Sequence, residues 1–347
     1  SKVYGETNAL DNDDFSVTGL VNGDQITALT LSSEGTGAAA PVTGSPYPII
    51  ASDPQGSGAE NYQLVVTTGT VTVTPAELTV TADDQSKPFG TEFVFTGDEF
   101  TVTGLLNDDD VANAVFSSDA TAADAPLTGE AGTAILITDA TGVGLENYNI
   151  TFVNGVFVVA PGDLIITPTA INKLYGDEVT FDGSEFTVAG LAEGDSVDSV
   201  TLFSLGAAGT ATVTGGTYTI TVSDPNGTGL DKYELELADG TLTVVPAPLT
   251  VTALDQIKGQ GTAFTFAGTE FSTNGLRNDD TVTTVVLSSA GADIGAQAAD
   301  SPFAISVGDI SGSCLENYVV TPQSGVFTVT DTVHQPPLNP TPQANTG

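Results

Sequence analysis

The sequence contains very few cations. Six lysines and arginines stand against 44 aspartates and glutamates, giving a formal net charge of -38 at pH 7. Such a charge surrounds the chain with an anionic field, which repels phosphate backbones and anionic membrane surfaces. A run of about 18 apolar residues, the length needed to span a bilayer as a helix, is also absent. We therefore expect no nucleic-acid partner and no membrane insertion of this segment.

Reactive side chains are also scarce. The single cysteine, Cys314, excludes an internal disulfide. The single histidine, His334, lies in a proline-rich segment, where it is poorly placed to serve as the general base of a catalytic triad. Carboxylate pairs are abundant, but they recur in turns of several periods, and tryptophan is absent. We therefore expect that the protein is not an enzyme.

Methionine is missing and the other helix formers are few, whereas Thr, Val, Gly and Asp dominate. This composition favours strands and turns. Hydrophobic residues make up 40% of the chain, which supplies enough apolar surface for packed cores in spite of the charge. We therefore expect a folded, mainly β protein. A chain that begins at Ser1 without Met is expected to be a processed product or a fragment.

Four sequence markers recur every 85 or 86 residues. The first marker, Lys-x-(Tyr/Phe)-Gly with a degenerate fourth copy, begins at Lys2, Lys87, Lys173 and Lys258. The second, Gly-Leu, begins at Gly19, Gly104, Gly190 and Gly275. The third, Glu-Asn-Tyr, contains Asn61, Asn147 and Asn317 and becomes Asp-Lys-Tyr around Lys232. The fourth is a turn glycine at Gly69, Gly155, Gly240 and Gly325. Four markers in one register indicate four repeated modules.

The period predicts a linear tandem array of four small β-sandwich or β-grasp-like modules. The predicted modules are residues 1–75, 76–161, 162–246 and 247–331, followed by a proline-rich linker or tail at residues 332–347. Proline joints at Pro75, Pro161, Pro246 and Pro248 favour a semi-rigid rod on the order of 120–160 Å long. The first module lacks its expected first strand, since no Leu-Thr-Val-Thr-Ala segment precedes Lys2.

Alternation of apolar and polar residues predicts the strands within one period. In the second module they are residues 78–82, 92–96, 100–105, 111–118 and 133–138. Residues 148–153 and 156–159 are predicted to form a hairpin, because Asn154 and Gly155 between them are a favoured hairpin turn.

Two features could reflect binding or chemistry. Oxygen-rich loops with Asp108, Asp109, Asp110, Asp279 and Asp280 suit Ca²⁺, so calcium is a possible cofactor. The simpler interpretation is that the recurring aspartates Asp24, Asp109, Asp195 and Asp280 cap a helical turn or form Asx turns.

The recurring lysines also need a local partner. We expect a salt bridge with Glu60 or Glu146, or packing of the lysine stem on Tyr4 or Tyr175. The alternative is an isopeptide crosslink to Asn61 or Asn147, which Lys232 at the asparagine position prevents from being general.

The four markers together resemble the MBG-type repeat modules of large bacterial surface proteins, most clearly at residues 2–5, 104–109, 144–148 and 246–253. Departures include Cys314, which stands where the other copies have Gly58, Gly144 and Gly229. The resemblance implies an extracellular, cell-surface location and a structural role.

The resemblance leaves three functions open. The expected function is a stalk or spacer of a bacterial surface adhesin, with neighbouring modules or subunits of the same protein as partners. One alternative is a subunit of a self-assembling fibre joined by strand addition. The other is a glycan- or mucin-binding module whose binding loop contains Cys314, with a host or environmental glycan or surface receptor as partner.

Overall fold

The computed structural model describes residues 1–331, and the predicted tail at residues 332–347, with His334, lies outside this range. Within the described residues the chain forms 27 strands and short 3-10 turns, with no α-helix. No helix in this part of the chain is long and apolar enough to cross a membrane. The prediction of a mainly β fold is confirmed.

The strands fall into four successive modules. The first module contains β1 (Lys2–Val3), β2 (Gln25–Ser32), β3 (Tyr47–Pro48), β4 (Ile50–Ser57), β5 (Thr70–Val71) and β6 (Val73–Thr74). The second contains β7 (Ala76–Ala82), β8 (Gln85–Pro88), β9 (Phe100–Thr103), β10 (Asp110–Ser117), β11 (Thr133–Val143), β12 (Tyr148–Val153) and β13 (Gly155–Ala160).

The remaining strands repeat the order of the second module. The third module contains β14 (Gly162–Pro168), β15 (Ile171–Leu174), β16 (Phe186–Ala189), β17 (Ser196–Phe203), β18 (Thr217–Thr228), β19 (Tyr233–Leu237) and β20 (Gly240–Val245). The fourth contains β21 (Ala247–Ala253), β22 (Gln256–Gly259), β23 (Phe271–Asn274), β24 (Val282–Ser288), β25 (Phe303–Gly312), β26 (Tyr318–Gln323) and β27 (Gly325–Thr330).

Ten short 3-10 turns connect these strands. They are Glu34–Thr36, Val42–Gly44, Ala59–Asn61, Leu145–Asn147, Leu205–Ala207, Val213–Gly215, Leu230–Lys232, Ala290–Ala292, Ala298–Asp300 and Leu315–Asn317. The described chain divides into two compact units. The first comprises residues 1–163, 190–194 and 231–234, and the second is the remainder.

The second module shows how one complete module is built. Its three-stranded sheet has the order β12-β7-β9, and its four-stranded sheet has the order β10-β11-β13-β8. Strand β7 runs parallel to β12 with Ala76 opposite Tyr148, and β8 runs parallel to β13 with Gln85 opposite Phe157. The offset between partner residues is therefore the same in the two pairings. Where the chain passes from one sheet to the other, the Asp84 side chain accepts a hydrogen bond of 2.7 Å from the Val156 amide.

The predicted hairpin about Asn154 and Gly155 is wrong. Strands β12 and β13 pair with β7 and β8, respectively, and lie in different sheets. The chain crosses between sheets at Asn154, whose side-chain oxygen accepts a hydrogen bond from the Ile137 amide at 3.4 Å. Neither residue has a positive φ angle at this crossing. Glycine is favoured at position 155 by close approach, because a Cβ atom there would lie 2.7 Å from the Ala82 carbonyl oxygen.

The predicted strand at residues 92–96 is also wrong, because this segment belongs to neither sheet. It is held by aromatic packing. The rings of Phe93 and Phe95 lie 5.0 and 6.3 Å from the ring of Phe157, which is fully buried. The alternating phenylalanines of this segment therefore reflect packing against the core and not hydrogen bonding to a neighbouring strand.

The two sheets of a module pack face to face around one core. In the fourth module, Leu249 and Val251 of β21 belong to the same buried cluster as Ile305 of β25 and Phe327 of β27. These residues come from the three-stranded sheet β23-β21-β26 and the four-stranded sheet β22-β27-β25-β24. Of the two predicted architectures, the structure is the sandwich, since no helix packs on a sheet in the described residues.

The recurring lysines are buried, with 5–8% of each side chain exposed, and their ammonium groups lie on backbone carbonyls. Lys87 donates to the Thr91 and Ala122 oxygens at 2.7 and 2.6 Å. The same pair of contacts recurs at Lys173 and Lys258, and Lys2 donates to the Glu6 oxygen. Carbonyl binding therefore replaces the expected salt bridge with glutamate, and it gives no support to the crosslink to asparagine.

Replacing Lys87 by methionine tests this carbonyl contact. The Lys87→Met variant keeps most of the apolar stem but leaves two carbonyls without their donor, so we expect a loss of about 1–3 kcal/mol in unfolding free energy. Urea denaturation measures it. Lys173→Met should lose a similar amount because its contacts are the same. A loss below about 0.5 kcal/mol in both variants would show that the carbonyl contacts contribute little.

Candidate functional site

The first unit contains a tyrosine–aspartate cluster, made of Tyr4, Asp109 and Tyr148. The Oδ2 atom of Asp109 accepts hydrogen bonds from the hydroxyls of Tyr4 at 2.8 Å and Tyr148 at 2.7 Å. The two rings meet edge to face, with centroids 5.5 Å apart. Tyr4 belongs to the first module and the other two residues to the second, so one carboxylate joins two successive modules.

Local sequence fixes the position of Asp109. Asn107 and Asp108 adopt positive φ angles of 53° and 62°, and the Asp109 amide donates to the Leu106 carbonyl at 3.0 Å. Asparagine and aspartate tolerate this backbone region better than most residues. The resulting tight turn holds the Asp109 carboxylate beside the start of β12. The expected helical turn capped by aspartate is therefore wrong, because the segment forms a tight turn and the carboxylate binds tyrosines.

Tyr148 reaches the same carboxylate because of the turn before it. Gly144 precedes the 3-10 turn Leu145–Asn147 with φ of 77°, and a Cβ atom there would lie 1.9 Å from the Asp109 Oδ1 atom. Glycine is favoured here because a side chain would be strained by the backbone angle and crowded by the carboxylate. The Leu106 amide then donates to the Tyr148 hydroxyl at 2.8 Å, which fixes the ring against the aspartate turn.

Two asparagines add contacts between the first and second modules. Asn147 is almost fully buried, and its Oδ1 atom accepts a hydrogen bond of 2.8 Å from the Val42 amide. Its Nδ2 atom donates to the Gly144 carbonyl at 3.0 Å. Asn107 donates to the Ala38 carbonyl at 3.1 Å. The asparagine of the Glu-Asn-Tyr marker is therefore a contact residue between modules.

The second unit contains the same arrangement between the third and fourth modules. The Asp280 Oδ2 atom accepts from the hydroxyls of Tyr175 at 2.9 Å and Tyr318 at 2.7 Å, and the rings lie 5.4 Å apart. Asn317 is fully buried and accepts from the Val213 amide at 2.8 Å. The cluster is thus a recurring device of the repeat and not a feature of one module.

The two clusters differ at their edges. Arg277 stands in the second unit where Leu106 stands in the first, and it forms an ion pair of 2.5 Å with Asp177. Both side chains of this pair are more than a third exposed, so the pair is screened by solvent and contributes little. Cys314 occupies the turn position of Gly144 with φ of 54° and ψ of 26°, a strained region for a residue with a Cβ atom.

The first unit also contains an altered version of the cluster at Phe89 and Tyr233. Phenylalanine replaces the tyrosine of the first marker, and its ring meets Tyr233 edge to face at 5.5 Å. Lys232, at the asparagine position, places its ammonium 4.8 Å from the centre of the Phe89 ring. Lys232 and Phe89 thus form a cation–π contact. In this copy of the cluster, Lys232 replaces the asparagine of the third marker and Phe89 replaces the tyrosine of the first.

Burial, together with the neighbouring aspartates, raises the pKa of the cluster tyrosines. Burial, followed by the hydrogen bond to Asp109, raises the pKa of Tyr148 well above its usual value, and Tyr318 shows the same shift beside Asp280. Burial also raises the pKa of Tyr4 and Tyr175. All four hydroxyls donate to an aspartate carboxylate, and hydrogen bonds to an ionised acceptor are stronger than neutral ones.

The aspartates predicted as calcium ligands have different surroundings in the structure. Asp109 and Asp280 bind tyrosine hydroxyls, whereas Asp108, Asp110 and Asp279 are exposed. Within residues 1–331, no group of three or more His, Cys, Asp or Glu side chains is arranged to hold a metal ion. Calcium binding at these loops stays a prediction.

The other predicted residues have separate positions. Asn61 is exposed, unlike Asn147 and Asn317. Cys314 is exposed, and the hydrogen bond to Asp280 raises the pKa of its thiol, which disfavours the reactive thiolate. A binding role for the loop at Cys314 stays a prediction.

The sequence analysis did not identify the tyrosines as the partners of the aspartates. The signal was present, because a tyrosine recurs in both the first and third markers while an aspartate recurs after the second. Within a module, the Tyr62 hydroxyl donates to Asp24 at 2.8 Å in the same way as Tyr148 donates to Asp109. Residues that recur with the same period are candidates for mutual contact.

Comparison with protein families finds one model that matches nearly the whole chain. The model is described as "MBG domain (YGX type)" and matches residues 1–72, 78–158, 164–243 and 249–328. No curated protein sequence matches the chain.

Comparison with solved structures finds similarity to other proteins, two of which are the following. The crystal structure of Drosophila N-cadherin EC1-4 is 8% identical with a TM-score of 0.24, and the match covers 95% of this chain and 98% of that one. The structure of surface layer protein SbsC, domains 4-9, is 13% identical with a TM-score of 0.18, and the match covers 90% of this chain and 58% of that one. Both scores are too low to support a shared fold.

Removing the shared acceptor should destabilise the first unit. Asp109→Ala leaves two tyrosine hydroxyls without their ionised partner, and we expect a loss of about 2–4 kcal/mol in unfolding free energy by urea denaturation. Asp110→Ala removes an exposed neighbouring charge and should change stability by less than about 0.5 kcal/mol. Equal effects of the two substitutions would mean that net charge, and not the cluster, determines the result.

The tyrosine clusters should make the protein sensitive to alkali. In the unfolded chain a tyrosine ionises with a pKa of about 10, whereas the pKa of the buried tyrosines is raised in the folded state. The stabilisation is therefore fully present below pH 10 and is lost as pH rises further. Urea denaturation between pH 8 and pH 11 measures this decline. A variant with Tyr148→Phe and Tyr318→Phe should decline less steeply, and an unchanged slope would contradict the assignment.

Proposed function

Because this chain belongs to the MBG domain family of the YGX type, we propose that it is a stalk or spacer segment of a bacterial surface adhesin. The chain consists of repeated structural modules, and the MBG family is structural and non-enzymatic. MBG repeats are found in extracellular surface proteins. In this role the modules project a binding region away from the cell.

The observation that carries the proposal is the tyrosine–aspartate cluster, which occurs with the same geometry in both compact units. A spacer must resist bending where one module meets the next. Asp109 and Asn147 bind the first module through Tyr4 and Val42, while Asp280 and Asn317 bind the third through Tyr175 and Val213. Partly buried hydrogen bonds of this kind restrict the angle between successive modules more than a proline linker alone.

The distribution of charge supports the same role. A net charge of -38 keeps neighbouring copies apart and disfavours binding of one copy to another. The recurring lysines do not offset this field at the surface, because their ammonium groups are buried on carbonyls.

Small-angle scattering and sizing of the purified chain across a range of concentrations test the proposal. We expect a monomer with a maximum dimension on the order of 120–160 Å that does not change with concentration or with added Ca²⁺. A variant with Asp109→Ala and Asp280→Ala should give a smaller mean dimension and a broader distribution, because successive modules can then bend.

The matched control is Asp110→Ala with Asp198→Ala, which removes two exposed aspartates and the same charge. This variant should scatter like the unmodified protein. Growth of the unmodified protein into long assemblies, or a compact particle that is indifferent to all four substitutions, would contradict the stalk. Lengthening only with Ca²⁺ would show that metal, and not the cluster, stiffens the chain.

A further inference from the structure

The first and third modules contact the module that follows them through the same three groups, which we call the joint face. These groups are a tyrosine hydroxyl, a backbone amide and a backbone carbonyl, and each forms a hydrogen bond of 2.8–3.1 Å with a side chain of the next module. They belong to Tyr4, Val42 and Ala38 in the first module and to Tyr175, Val213 and Gly209 in the third. Such a joint face therefore fits a module that carries the aspartate and the two asparagines.

The fourth module has different residues at the corresponding positions. Counted from the lysine of the first marker, Gln260 replaces the tyrosine, Ile294 replaces the alanine or glycine, and Ala298 replaces the valine. The backbone at Gln260 is unchanged, because its amide donates to the Thr330 carbonyl at 2.9 Å, as the corresponding tyrosine amides do in the first and third modules. The joint face of the fourth module therefore differs in its side chains and not in its backbone.

The Gln260 side chain binds the amide of its own joint face. Its Oε1 atom accepts a hydrogen bond of 3.0 Å from the Ala298 amide, and its Nε2 atom donates to the Gln297 Oε1 atom at 2.8 Å. The corresponding amides of Val42 and Val213 donate instead to an asparagine of the next module. In the fourth module this donor is therefore already bound within the module.

Ile294 changes the surroundings of the carbonyl. In the second unit a Cβ atom built on Gly209 would lie 3.7 Å from the Asn278 Oδ1 atom, which is an ordinary contact and agrees with alanine at Ala38. An isoleucine side chain extends well beyond its Cβ atom and has a stiff χ1 angle. Ile294 is 61% exposed. The asparagine of an approaching module would therefore meet this side chain before it reached the carbonyl.

The second module shows that loss of the tyrosine hydroxyl alone does not close a joint face. Phe89 keeps an aromatic ring, which packs edge to face on Tyr233 with centroids 5.5 Å apart. The Lys232 ammonium lies 4.8 Å from the centre of the same ring. Ala123 occupies the position of Ile294, so this face also keeps its small residue. In the fourth module, by contrast, both the ring and the small residue are replaced.

We propose that the joint face of the fourth module rejects a further module of this type, and that Gln260 and Ile294 determine this selectivity. An incoming asparagine would have to displace Gln260 from the Ala298 amide, and an incoming aspartate would lose one of its two hydroxyl donors. These polar groups would give up water without gaining the usual partners, which disfavours binding. The two residues differ in type, and Gln260 makes its contacts inside one module, so the selectivity holds whatever follows residue 331.

The test adds a fifth module to the full chain. A second copy of residues 246–330 is inserted between Thr330 and Asp331, which keeps the register because Thr330 corresponds to Val245. Hydrogen exchange at the Ala298 amide, followed by NMR, reports what binds that amide. With the natural fourth module the exchange rate should be the same with and without the added module, because Gln260 binds the amide in both chains.

A second variant opens the joint face. Gln260→Tyr with Ile294→Gly gives the fourth module the residues that the third module carries, and the added copy is left unchanged. Insertion of the added module should now slow exchange at Ala298 about tenfold, the effect of one hydrogen bond of about 1.4 kcal/mol. The added module should also reorient more slowly than it does on the natural face, as measured by NMR relaxation of its amides.

The matched control changes the added module alone. Asn317→Lys in that copy introduces the residue that the third module carries as Lys232, and it should abolish the protection of Ala298 on the opened face. Three results would overturn the proposal. They are equally slow reorientation of the added module on the natural and opened faces, no protection of Ala298 on the opened face, and protection that persists with the lysine. These measurements concern one joint, so they can fail independently of the proposed stalk function.

Discussion

The structure depends on carboxylates that each accept two tyrosine hydroxyls. Asp109 and Asp280 each bind one tyrosine from their own module and one from the module before. The first bond fixes a turn to the start of a strand, and the second fixes one module to the next. Because the same atom makes both bonds, folding of a module and its attachment to the preceding one are linked. A repeat protein whose units contact only their neighbours gains its cooperativity from such shared groups.

Much of the fold could be predicted from the sequence because the same pattern occurs in four copies. The period indicated four modules, and alternation in residues 78–82 predicted most of β7, in which Leu78 and Val80 face the core. The sheet order could not be predicted in this way. Parallel pairing of β7 with β12 joins residues 72 positions apart, and nothing in the local pattern distinguishes that pairing from a hairpin.

The candidate site was predicted as a set of positions but not as a cluster. Lys87, Asn147 and Asp109 all proved to be structural residues, yet each has a partner that sequence reasoning did not choose. The ammonium group binds carbonyls, the amide binds the Val42 backbone, and the carboxylate binds hydroxyls. Every residue type has the same backbone amide and carbonyl groups. A sequence pattern can therefore identify a recurring side chain without showing which backbone group it contacts.

The unusual composition follows from these contacts. Four of the five lysines have their ammonium groups buried on carbonyls, where desolvation lowers the pKa of Lys2, Lys87 and Lys173. A buried cation is costly, but these ammonium groups have carbonyl acceptors that offset the loss of water. The few cations therefore stabilise the interior and leave the surface acidic. Turns, strand crossings and joints use aspartate oxygens as acceptors, at Asp24, Asp84, Asp109 and Asp280, so part of the negative charge serves the architecture.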